Sequence, residues 1–168
     1  RNKWSCERPS QRLLESAVRP GLETGLAGWT FRPLDAEAMR AAAGVLLGTR
    51  DFSALRSSEC QARTPVRTLR AIDIQRRGAW WRFEFDADAF LHHMVRNLAG
   101  ALIAVGTGDR NEDWLREVLA SRDRTRAGVT APAQGLYFTA VEYPGDCGLP
   151  SVEASRDARV WLAATSRV

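Results

Sequence analysis

The segment Phe90-Leu-His-His-Met-Val-Arg-Asn97 gathers the side chains best suited to chemistry in this sequence. Arg96 is a permanent cation whose planar fork of donors matches a carboxylate or a phosphate. A helix with about 3.6 residues per turn places His92, Arg96 and Gly100 on one surface track. His93 and Asn97 fall on the same polar side. Beside a glycine, an anion or a second backbone can approach closely. A plainer reading stays open, because an arginine on the polar side of a helix is commonly just solvated. His92 and His93 are sequence neighbours pointing to different faces. They are poorly arranged to share a metal ion, and no cysteine or acidic cluster nearby completes a ligand set, so no metal site is expected.

The elements that must position these residues follow from the pattern around them. Phe90, Leu91, Met94, Val95, Leu98, Ala101, Leu102 and Val105 recur at helical spacing, predicting one amphipathic helix from Phe90 to about Gly108 with Asp86 or Asp88 as its cap. Upstream, Leu69-Arg-Ala-Ile-Asp-Ile74 reads as a strand and Arg76-Arg-Gly78 as a turn. Trp80 to Phe85 alternates, with Trp81, Phe83 and Phe85 on one face, so the two runs predict an antiparallel hairpin with one buried face. Asp35 predicts the start of an earlier helix with Ala38, Ala41, Ala42, Val45 and Leu46 inward, ending near Gly48. Residues 51–55 read as a short helical turn. Asn111 predicts a third helix with Trp114, Leu115, Val118 and Leu119 inward, and Leu136 to Tyr143 a last strand. Residues 1–12 show no clear period, 13–30 read as extended or looped, and a weak helix is expected around Val160-Trp-Leu162. The sum is an α+β fold: an antiparallel sheet with helices packed on one face.

A length of 168 residues with 45% hydrophobic content fits one domain with a real core. No apolar run approaches the roughly 20 residues that span a bilayer, and the first residues lack a signal-like core, which predicts a soluble, cytoplasmic protein. Cys6, Cys60 and Cys147 have no redox or metal spacing. The net charge is +4, and Lys3 is the single lysine. Between Arg56 and Arg82 seven arginines (56, 63, 67, 70, 76, 77 and 82) face only Glu59 and Asp73. Arginine forks fit phosphates and stack on bases, so nucleic acid is a plausible partner. The competing explanation, solubility and coding composition, weighs about equally.

Five segments in order, Arg32-Pro-Leu-Asp-Ala-Glu-Ala-Met39, Gly48-Thr-Arg-Asp-Phe-Ser53, Pro65-Val-Arg-Thr68, Phe90-Leu-His-His-Met-Val-Arg-Asn97 and Ala131-Pro-Ala-Gln-Gly-Leu136, resemble the C-terminal half of the tRNA pseudouridine synthase A (TruA) family. The resemblance covers residues 13–150 as a C-terminal α/β domain and leaves 1–12 and 151–168 unmatched. It implies isomerisation of uridine to pseudouridine in the anticodon arm of tRNA, with no metal or organic cofactor, by a homodimer. It also implies an essential aspartate in an Arg-Thr-Asp-x-Gly-Val-His motif. That motif is absent, since none of the ten aspartates here has those neighbours. A base-stacking tyrosine expected just before Leu13 is absent too. The first residue is Arg, and the sequence reads as a partial one beginning after the aspartate motif.

By resemblance, Arg96 is the ion-pair partner of that aspartate and Leu136 packs on the target base, with Tyr137 following it. His92 and Asn97 join them as substrate-binding candidates. Arg63, Arg67 and Arg70 are candidates for RNA phosphate contacts. Three readings compete: half of a tRNA pseudouridine synthase, inactive without its complement; a non-catalytic RNA-binding module; and a piece unstable alone because an apolar face is bare.

Overall fold

The alternation of Trp81, Phe83, Phe85 and Ala87 builds the centre of the fold: these side chains are 0, 0, 1 and 0% exposed. They lie on β5 (Trp80–Ala87), which Gly78 and Ala79 join to β4 (Val66–Arg77) in an antiparallel hairpin. The structure is a computed structural model and describes residues 6–142. Around the hairpin stand β1 (Cys6–Glu15), β2 (Gly28–Thr30), α1 (Ala36–Leu46), β3 (Gly48–Asp51), α2 (Met94–Gly106), α3 (Glu112–Ser121) and β6 (Leu136–Glu142). Short 3-10 turns occupy Ser53–Leu55 and Arg124–Arg126.

The sheet runs β2-β1-β5-β4-β3, with β6 also on β1. β6 lies antiparallel along residues 6–11 of β1 and β2 parallel along residues 13–15, so the two share one edge of that strand. All other pairings are antiparallel. This is the expected α+β class. α1 packs on β4 and α2 on β1, and Leu13, Ile74, Trp81 and Phe83 join Met39, Leu46, Leu98 and Leu102 of the helices in one core. Burying each such side chain stabilises by about 2 kcal/mol.

Three expectations need correction. Residues 6–12, which show no period, form most of a central strand, and position 12 falls inside β1. Ser10, Gln11 and Arg12 are 0, 0 and 8% exposed, so both faces of β1 are covered and the alternation of a half-buried strand is missing. In α1 the inward face is Met39, Ala42, Ala43, Val45 and Leu46, with Ala41 exposed. Met39 sets that rotation: a Cβ at Gly106 would stand 2.7 Å from its sulfur, so α1 closes onto α2 there. Third, α2 begins at Met94 instead of Phe90. The segments 1–5 and 143–168, including the helix expected around Val160, lie outside the described residues.

Candidate active site

The chain enters α2 through a turn over Leu91–Met94, closed by the Met94 N–H donating to Leu91 O at 2.9 Å. His93, the last residue before the helix, sits at φ 61° and ψ 4° and caps nothing with its side chain. A non-glycine residue rarely holds that left-handed conformation, which costs about 1–2 kcal/mol. Asp86 and Asp88 do not cap α2. Asp88 Oδ1 accepts from Thr68 N at 3.0 Å and Ala89 N at 2.9 Å, bracing β4 to the end of β5. Asp86 pairs with Arg8 at 2.9 Å and Arg70 at 3.3 Å. His92 is therefore in the turn and not one helical step from Arg96.

Arg96 is half-buried in the first turn of α2. Its Nε donates to Ala131 O at 2.8 Å, and its own carbonyl accepts from Ala131 N at 3.0 Å. Among the described residues no carboxylate pairs with it. Arg96 lines an open cleft of about 460 Å³ between the start of α2 and β6. Pro9, Phe90, Leu91, Met94, Val95, Leu136 and Phe138 give apolar walls, and Glu7, His92 and His93 add polar groups. Such a site offers one fixed cation to an anionic group and flat apolar surface to a ring.

The cleft brings Arg96, Leu136 and His92 together. Tyr137 also borders it, but its ring lies 4.4 Å from the Arg12 guanidinium and its hydroxyl donates to Leu26 O at 2.7 Å. Leu136 and Phe138, at alternate positions of β6, remain 37 and 61% exposed. Asn97 is turned inward, 2% exposed. Its amide donates to Leu55 O at 2.8 Å, and its oxygen accepts from Thr130 Oγ1 at 2.7 Å and Arg124 at 3.0 Å. It braces the site without facing the cleft. Of the basic candidates, Arg67 donates to Thr64 O and Val66 O, Arg70 pairs with Asp86, and Arg63 is exposed on the loop before β4. The sequence reading misses Glu7 and Pro9, which reach the cleft from β1. Their signal would have been pairing partners, not periodicity.

The surroundings of His93 favour its neutral ring. His92 and His93 stack with ring centroids 4.0 Å apart. Burial, then the neighbouring His92 and Arg96, lowers the pKa of His93 from its ordinary 6.5. On the loop before β4, the pKa of the Cys60 thiol is lowered by the backbone N–H of Ala62, against an opposing burial effect, and further by the backbone N–H of His92 and by Arg56 and Arg67. No three His, Cys, Asp or Glu side chains come together as metal ligands among the described residues. No helix among them is long and apolar enough to cross a membrane.

Comparison with known proteins bears on the same residues. A family profile described as tRNA pseudouridine synthase matches residues 42–144, which carry Arg96, Ala131 and Leu136. The chain is 57% identical over 162 residues to the tRNA pseudouridine synthase A of Methylibium petroleiphilum, covering 96% of this chain and 61% of that protein. It is 56% identical over 138 residues to the one of Thiobacillus denitrificans, covering 82% of this chain and 53% of that protein. For the Bordetella petrii protein of the same name the figures are 53% over 143 residues, 85% and 53%. The chain thus spans a little over half the length of these relatives. With the profile covering more than half of its residues, this chain belongs to the tRNA pseudouridine synthase family.

Proposed function

We propose that this chain supplies the arginine-bearing half of a tRNA pseudouridine synthase acting on uridines of the anticodon arm. One observation carries the reading. Arg96 lines an apolar cleft with Leu136, and no carboxylate among the described residues pairs with it. An aspartate entering that cleft beside the guanidinium would have its pKa lowered and would stay ionised and oriented. In the reaction the C1′–N1 bond breaks, the uracil turns, C5 bonds to C1′ and gives up its proton, and N1 gains one, so that atoms and charge balance. The carboxylate acts at sugar and base, while Leu136 and the cleft wall support the ring as it turns. His92 borders the same space, and Tyr137 steadies β6. The Arg-Thr-Asp motif is not among these 168 residues. On this reading the carboxylate is supplied by polypeptide outside them, and the chain alone is inactive. tRNA is the partner, and a homodimer the assembly that the family resemblance implies.

The test is reconstitution. The chain is co-expressed with a polypeptide carrying the aspartate motif of a relative, and pseudouridine in tRNA is measured. Arg96→Ala should lower turnover by about 100-fold or more, the scale for removing one preorganised charge contact. Unchanged turnover would remove Arg96 from its role.

A binding-only reading draws on the arginines between positions 56 and 82. It predicts tRNA retention on filters that weakens steeply with salt. Arg67 and Arg70 are already engaged within the protein and Arg82 is 5% exposed, which shrinks the open basic surface.

A further inference from the structure

Residues 129–131 cross α2 directly over Gly100. A Cβ at that position would stand 2.1 Å from Val129 O and 3.0 Å from Ala131 N, both backbone atoms, so only glycine lets the segment pass so low. One turn earlier Arg96 grips the segment twice, through Ala131 N to Arg96 O at 3.0 Å and Arg96 Nε to Ala131 O at 2.8 Å. The segment is pinned a second time at Thr130. Its hydroxyl donates to Asn97 Oδ1 at 2.7 Å and accepts from Arg124 at 2.6 Å. Asn97 is itself fixed to Leu55 O at 2.8 Å.

We propose that this strap is a positioning device for Arg96. Gly100 sets its height, and Thr130, Asn97 and Arg124 set its register. Together they hold the Ala131 carbonyl where it captures Nε and fixes the plane of the guanidinium. The inference rests on the reading of Arg96 as a carboxylate holder. A free arginine side chain carries about 2 kcal/mol of rotamer entropy, and a side chain already immobilised loses less when its ligand arrives. The terminal nitrogens, with no hydrogen bond among the described residues, are then presented in one orientation. Gly100, Thr130 and Asn97 are positioning residues, acting on the carboxylate only through Arg96.

Arginine Nε–H correlation NMR of the ¹⁵N-labelled chain tests this, with the Arg96 signal assigned by its loss in Arg96→Lys. The Arg96 Nε–H should exchange at least about tenfold more slowly than that of exposed Arg63, as expected for one charge-assisted bond. Thr130→Val and Gly100→Ala should bring it close to the Arg63 rate, and Thr130→Ser should restore it. Acetate, the carboxylate probe, should bind Arg96 several-fold more weakly in the first two variants. A wild-type Arg96 signal exchanging as fast as that of Arg63 overturns the proposal. So does full protection retained in folded Thr130→Val and Gly100→Ala. A protected signal that responds to Thr130→Val but not to acetate would uphold the strap while sinking the carboxylate reading of the cleft.

Discussion

Among the described residues, two α-helices begin in one way and the third in another. Asp35 precedes α1 in extended conformation and its Oδ1 accepts from Glu37 N at 2.8 Å and Ala38 N at 3.0 Å. Asn111 does the same for α3, accepting from Trp114 N at 2.9 Å. At α2 there is no side-chain cap, and the chain enters through a left-handed histidine. Long-range bonds hold α2 instead: Arg96 to Ala131, Asn97 to Leu55, and Ser57 N to His92 O at 2.9 Å. Local rules are met where a helix only supports the fold. They are set aside where the helix opens onto the cleft, and tertiary contacts carry that end.

The largest effect that sharpens this contrast is expected at Asn97. Asn97→Ala takes the side-chain donor from the carbonyl of buried Leu55 and the shared acceptor from Arg124 and Thr130, which keep only their bond to each other and that of Arg124 to Gly128 O. Urea unfolding should show a loss of about 3 kcal/mol. Asp35→Ala and Asn111→Ala should each cost about 1 kcal/mol in the same measurement. An Asn97→Ala cost no greater than the cap replacements would erase the difference between the two kinds of helix start.

The same division explains what was legible in the sequence. Caps at Asp35 and Asn111, the alternation through Trp81 and Phe85, and the last strand from Leu136 are local signals, and all stand where the pattern puts them. The apolar side of α2 was legible too, but not its start, because a turn through Leu91 and His92 keeps helical spacing of apolar residues without being helix. β1 was hidden by burial on both faces. Asn97 reads as polar surface by type, and only Leu55, 42 positions away, shows why it is inside. Of the cleft, Arg96 stands out by type and helical spacing, its aspartate partner and the role of Leu136 come only from family resemblance, and Glu7 and Pro9 could not be seen before β1 was placed.

His93 offers a change of opposite sign. Its φ of 61° is strained for a side-chain-bearing residue, and glycine removes the strain while adding freedom to the unfolded chain. His93→Gly should leave stability unchanged or raise it by up to about 1 kcal/mol, where loss of a cap lowers it. A loss of more than about 1 kcal/mol on urea unfolding would mean the His93 ring holds the turn more firmly than its backbone resists it.

The smallest effect is read from pH. The folded state holds a proton on His93 less tightly than the unfolded chain does, through burial first and then through His92 and Arg96. By linkage, the stability tied to this group is fully present above the ordinary value of 6.5. It declines as pH falls below 6.5 and stops declining once folded His93 is itself protonated. Asp109 is also lowered, by its hydrogen bonds from Arg32 and Thr107, but its contribution is lost only as pH falls below its ordinary 3.8, so the two windows are separate. Histidine ring NMR should give a His93 midpoint under 6.5 that rises in both His92→Gln and Arg96→Gln. A midpoint that ignores Arg96→Gln would place the guanidinium too far from the turn to act on it, and would separate the cleft's cation from the strained entry to α2.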